Sequence, residues 1–94
     1  MNEQERLKLA EHLAGMKFQR ARSEIRKLDP QANLKYFRNA FGTQRWHTAY
    51  ELPNEGIKIT LVEQAEQKPV ADSNLVRVTP VYVEAIVEDL PKRG

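Results

Sequence analysis

Two imidazoles, His12 and His47, are the side chains of this 94-residue chain whose ordinary pKa of about 6.5 suits proton transfer at neutral pH. His47 stands in Arg45-Trp46-His47-Thr48-Ala49-Tyr50-Glu51-Leu52, a stretch that also holds the only tryptophan. A histidine base needs a nucleophile within hydrogen-bond reach. If this stretch is a strand, the neighbouring hydroxyl of Thr48 points to the opposite face, and Ser23 and Ser73 lie in segments with no evident route to His47. The two histidines are not at ligand spacing, so a metal site would need carboxylates brought in by the fold. The absence of cysteine removes thiolate nucleophiles, disulfides and cysteine-ligated zinc or iron–sulfur centres. Gly15, Gly42, Gly56 and Gly94 are too scattered for a phosphate-cradling loop. Glu88 and Asp89 fall on opposite faces of a strand, against a paired-carboxylate site there. No catalytic residue, metal or cofactor is therefore expected, and an enzyme using His47 is the least favoured class.

Binding chemistry is better supplied. Residues 17–47 carry eight Lys/Arg (Lys17, Arg20, Arg22, Arg26, Lys27, Lys35, Arg38, Arg45) against Glu24 and Asp29, whereas residues 48–94 carry five against eight acidic residues. That asymmetry, inside a formal net charge of only +2, can draw a polyanion to one end of the molecule or orient two copies against each other. A 40% hydrophobic and 30% charged composition is ordinary globular usage. The length suits one small domain over 1–94 with little room for a deep pocket, so no small-molecule site is expected. The start of the chain lacks a basic stretch followed by an apolar core, and no apolar run approaches a membrane span. A cytoplasmic, non-membrane protein is the expectation.

The elements that would position these residues follow from periodicity. Leu7, Ala10, Ala14, Phe18, Ala21, Ile25 and Leu28 recur at steps of three or four, one helical stripe that Gly15 interrupts at a cost of about 1 kcal/mol. Asp29-Pro30 ends it, because the residue before proline is pushed out of the helical region. Residues 33–41 could form a further helix ending at Gly42, but pairing favours strand. With Gly42-Thr43-Gln44 as a three-residue loop, Leu34 opposes Leu52, Tyr36 opposes Tyr50 and Lys35 opposes Glu51. The next turn, Pro53-Asn54-Glu55-Gly56, sets Leu52 against Ile57, Tyr50 against Ile59, Thr48 against Leu61 and Glu51 against Lys58. Residues 63–74 read as a long exposed loop or strand end. The segment 75–90 reads as β-structure, with Pro80 at an edge, a bulge or a border between short strands. The tail from Pro91 is expected to fray. The expected fold class is α+β, an N-terminal helix, broken or not at Gly15, on one face of an antiparallel sheet of about four strands.

In that register Trp46, Thr48, Tyr50, Leu52, Leu34 and Tyr36 face the helix as core. The other face shows Lys35, Phe37, Asn39 and Phe41 beside Arg45, His47, Ala49 and Glu51. Phe37, Phe41, Arg45 and His47 are the candidate contact residues, and Arg20, Arg22, Arg26, Lys27 and Lys35 are the candidate cations. An uncovered aromatic and cationic sheet face points to a small non-enzymatic protein-interaction module, self-association included. The alternative is nucleic-acid binding through residues 17–47, which no RNP-like, KH-like or helix-turn-helix signature supports.

Overall fold

The structure is a computed structural model that describes residues 1–39, 45–69 and 76–91, with side chains at all of these except 39, 64–69 and 76–81. Its elements are α1 (Glu3–Leu13), α2 (Phe18–Leu28), β1 (Asn33–Asn39), β2 (Arg45–Leu52), β3 (Ile57–Pro69) and β4 (Val76–Asp89). The strands form one antiparallel sheet in the order β1-β2-β3-β4, with both helices on one face. No helix among the described residues is long and apolar enough to cross a membrane.

Gly15 breaks the helical stripe into two helices. Its φ of +86° lies in the left-handed region that side chains with a Cβ resist. The turn brings the Gly15 N–H to the Val83 carbonyl at 2.9 Å, and the Val83 N–H donates to the Met16 carbonyl at 2.9 Å. The interhelical turn thus satisfies the free edge of β4 at that residue, where a neighbouring strand could otherwise pair. The bend also separates the rotational phases of the two helices. In α2 the stripe holds, with Ala21 and Ile25 buried and Phe18 and Leu28 packed beside them. In α1 the inward residues are Leu9 and Leu13, while Leu7 and Ala14 stay exposed. A capping box starts α1: the Asn2 carboxamide oxygen accepts from the Glu5 N–H at 2.8 Å, and the Asn2 N–H donates to the Glu5 carboxylate at 3.1 Å. The Arg6 guanidinium then ties α1 to Asp89 of β4 at 2.9 Å.

The β2–β3 hairpin has the expected register throughout, including Leu52↔Ile57, Tyr50↔Ile59, Thr48↔Leu61 and Glu51↔Lys58. Its four-residue turn ends on Gly56 at φ +66°. The β1–β2 pairing departs from expectation. Leu34 lies opposite Tyr50, then a bulge at Lys35 shifts the register, so that Tyr36 opposes Ala49, Phe37 opposes Thr48 and Arg38 opposes His47. One extra residue reverses the facing of everything after it. Tyr36 therefore leaves the helix side and Phe37 joins it. The proposed loop 42–44 lies outside the described residues.

Residues 63–69, expected as loop or strand end, continue β3 and pair with β4 from Ala65↔Pro80 to Pro69↔Val76. Pro80 sits beside the register shift between Glu63 and Ala65, on an edge strand, where a missing N–H costs little. This ribbon makes the molecule long, 57 × 25 × 21 Å with a radius of gyration of 15.3 Å, against about 12 Å for a compact chain of this length.

The core lies between the helices and the β2–β4 part of the sheet: Leu13, Ala21, Ile25, Tyr50, Leu52, Ile57, Ile59, Leu61 and Val83. Asp29, at the end of α2, is fully buried, and its carboxylate accepts three bonds. Its donors are the Gln31 N–H at 2.8 Å, the Asn54 side-chain amide at 2.8 Å and the Asn54 N–H at 3.0 Å. The helix end is thereby fastened to the β2–β3 turn.

Candidate functional site

Helix α2 is anchored at both ends, at Val83 of β4 through Met16 and at the β2–β3 turn through Asp29. Held there, it packs on β3 and β4, and the helix-side flank of β1 is left bare. Leu34 is 59% exposed and Phe37 57% exposed on that flank. Phe37 stacks on half-buried Trp46 with ring centroids 5.1 Å apart and planes within 7°. The near-parallel stack leaves a flat aromatic surface toward solvent, a large apolar area at low entropic cost.

Two cations of α2 act on Tyr50, next to this surface. Arg22 and Arg26, one turn apart on α2, both act electrostatically on the Tyr50 phenol, the β2 residue paired with Leu34. Burial pushes that phenol above its ordinary pKa, the two guanidinium groups oppose the shift, and Glu63 adds to it. Glu63, 8% exposed and paired across the sheet with Trp46, is itself pushed above the usual carboxylate range by burial. Among the described residues no carboxylate lies within ion-pair distance of Arg20, Arg22 or Arg26. Lys27 pairs with Glu24 at 3.7 Å, as does His12 at 3.7 Å. Between Trp46 and Tyr50 the Thr48 hydroxyl is buried without a hydrogen-bond partner among the described residues.

The four contact residues expected on one face are thus divided. Phe37 lies on the helix side with Trp46. Arg45 and His47 lie on the helix-free side, and Phe41 is outside the described residues. The bulge at Lys35 is the physical cause, and no local residue signature marks it. It sets Phe37 on Trp46, Arg38 over the Tyr36 ring at 4.6 Å, and the Lys35 ammonium 3.8 Å from Glu51. Arg45 reaches over β3 to Glu84 of β4 at 3.3 Å. Trp46 faces the helix side as expected, but at the uncovered end of the face, so it belongs to the surface as much as to the core. Leu34, expected from the sequence as core, faces the helix side but stays 59% exposed, and Glu63 carries no signal in the sequence. Their exposure and burial depend on where α2 lies, which residue types do not report.

His47 stands between Arg38 and Val62 on the helix-free face, while Thr48 faces the helices, so the two form no base and nucleophile pair. No group of three or more His, Cys, Asp or Glu among the described residues could hold a metal ion. The arrangement offers an apolar, aromatic floor of Leu34, Phe37 and Trp46 on the helix side of β1 and β2. The chain matches no protein-family model, no curated protein and no solved structure, so its own residues carry the reading.

Proposed function

We propose that this chain is a non-enzymatic protein-interaction module whose contact surface is the bare flank formed by Leu34, Phe37 and Trp46, bordered by Arg22 and Arg26. One observation carries the reading: Phe37, stacked on half-buried Trp46, and Leu34 stand open to solvent, while Arg22 and Arg26, which act on the neighbouring Tyr50, have no carboxylate partner among the described residues. Aromatic residues and arginine are the types that dominate binding energy at protein interfaces. The complementary partner presents an apolar side chain to Phe37 and carboxylates to the arginines. A chain without cysteine suits a reducing, cytoplasmic setting.

The Phe37–Trp46 stack also favours a second reading, in which a single-stranded nucleic acid stacks a base on Phe37 and sets phosphates on Arg22 and Arg26. A photo-crosslinking amino acid in place of Phe37 separates the two in cells. The protein reading expects a discrete polypeptide adduct that Arg22→Glu/Arg26→Glu removes, and no binding of single-stranded RNA or DNA oligomers at low salt. The nucleic-acid reading expects oligomers to quench Trp46 fluorescence with an affinity that falls steeply as salt rises. Neither adduct nor quenching would refute the assignment of this surface.

A further inference from the structure

The outer edge of β4 is closed at one point and open beside it. The Leu90 N–H donates to the Gly56 carbonyl, and Lys58 pairs with Glu88 in the same ladder. Bonded and open pairs alternate in an antiparallel ladder, so Glu84, Ile86 and Glu88 turn their backbone groups toward β3 while Val83, Ala85 and Val87 turn theirs outward. Val83 shows this directly: its N–H donates to the Met16 carbonyl and its own carbonyl accepts from the Gly15 N–H. The outward N–H and C=O of Ala85 and Val87 have no hydrogen-bond partner among the described residues. Helix α1 runs along this open edge, opposite in direction to β4, with Gly15 at Val83 and Arg6 at Asp89. It packs on β4, the outermost strand. Helix and strand leave a groove of about 340 Å³ lined by Glu3, Arg6, Leu7, Ala10 and Val87. Leu7, 59% exposed, and Ala10 belong to the apolar stripe that α1 does not bury. The Arg6 guanidinium is engaged by Asp89 and by the Met1 carbonyl, each at 2.9 Å. Glu3 has no cation within ion-pair distance among the described residues.

We infer that this groove takes an extended segment of another protein as an added strand beside β4. Outward donors and acceptors at strand spacing match an extended backbone, which supplies the main-chain bonds, while pockets for alternate side chains select the sequence. The side chain opposite Val87 lies beneath Leu7 and Ala10 and is apolar. Side chains two residues apart share a face. The next one on that face, toward Asp89, reaches the Glu3 carboxylate at the N-terminal end of α1, so it is a lysine or arginine. The site runs from the Gly15 turn at Val83 to Asp89, about 20 Å of strand, which fits a segment of about six residues. A second copy cannot supply this strand through its own β4. Strands about 4.8 Å apart would bring the two α1 helices, each seated on its β4, inside the distance of about 8–10 Å at which helices pack. The groove lies at the sheet margin opposite Phe37, so the inference stands apart from the reading of the bare flank.

A displayed library of random decapeptides, panned on the wild-type chain and counter-selected on Leu7→Glu, tests it. Enriched sequences are expected to carry an apolar residue two positions from a lysine or arginine. In a nuclear magnetic resonance titration the selected peptide is expected to shift the Ala85 and Val87 amides and to protect them from hydrogen exchange. N-methylation of the peptide at the residue opposite Val87 is expected to weaken binding about tenfold, and at the next residue, whose N–H points away, hardly at all. Glu3→Gln is expected to weaken it about threefold and to flatten its salt dependence. Leu7 and Glu3 are exposed, and circular dichroism confirms that both variants fold. Phe37→Ala leaves peptide binding intact and Leu7→Glu leaves the Phe37 adduct intact, so the two surfaces fail separately. No enrichment over Leu7→Glu, a selected peptide that leaves the Ala85 and Val87 amides unmoved, or one that tolerates N-methylation at every position would overturn the inference.

Discussion

The buried carboxylate of Asp29 offers the sharpest energetic test of how this fold is held. Replacing it with alanine removes the acceptor of three hydrogen bonds at 2.8, 2.8 and 3.0 Å, two of them from backbone N–H groups. Bonds to a charged acceptor contribute about 1.5–3 kcal/mol each, which for three independent bonds would exceed 4 kcal/mol. Gln31 and Asn54 are exposed, so the released donors recover part of this by binding water. A loss of about 3–4 kcal/mol is expected, a large share of the 5–15 kcal/mol that stabilises a domain. Urea unfolding followed by Trp46 fluorescence reads it as a shifted midpoint at unchanged slope. The thermal midpoint should fall by roughly 15–25 °C. Asn54→Ala, which removes one side-chain donor but keeps the backbone bond, should cost about 1–2 kcal/mol. Because both variants break the same contact, the double variant should lose less than the sum by about 1 kcal/mol or more. An Asp29→Ala protein within 1 kcal/mol of wild type, or strict additivity with Asn54→Ala, would refute the claim that this carboxylate fastens α2 to the β2–β3 turn.

Three further perturbations probe other parts of the argument. Gly15→Ala meets no neighbouring atom within 4 Å but forces alanine to φ +86°, so thermal melts should show a loss of about 1–2 kcal/mol, and less for Gly15→Asn, which tolerates that region better. Glu63→Gln should raise stability at neutral pH. Burial lifts the folded-state pKa of Glu63 above its ordinary 4.5, so its contribution is fully present below that value and is lost as pH rises through the raised one. The advantage of the variant should therefore shrink as urea titrations are taken below pH 4.5, and an advantage independent of pH would contradict the burial argument. Phe37→Ala removes one side of an exposed stack and should cost no more than about 0.5–1.5 kcal/mol while shifting Trp46 emission to the red. A loss beyond 3 kcal/mol would mean that Phe37 is core rather than contact surface.

Much of the architecture is legible in the residue order, and the reasons are local. The turn Pro53-Asn54-Glu55-Gly56 closes a hairpin whose two strands agree on one apolar face, so Tyr50↔Ile59 and Leu52↔Ile57 follow from counting. Gly15 and Asp29-Pro30 bound α2, and Pro80 falls beside a register shift on an edge strand because a ladder has no use for it elsewhere. The stripe of α2 is readable because its period matches the helix it forms. The stripe of α1 is not, because its phase does not carry through the turn at Gly15, and Leu9 and Leu13 face inward instead of Leu7 and Ala14.

The candidate surface was only partly readable, for a different physical reason. Residue types alone identify a basic N-terminal half and an aromatic-rich stretch around Trp46. A strand alternates its faces with a period of two, so one bulged residue at Lys35, invisible in composition, transfers Phe37 to the helix side and parts it from Arg45 and His47. The sequence alone determined the element types and the β2–β3 register, because turn chemistry and apolar period act over a few neighbours. Which aromatic rings stay open to solvent was decided only in three dimensions, because that depends on where two anchored helices lie across four strands.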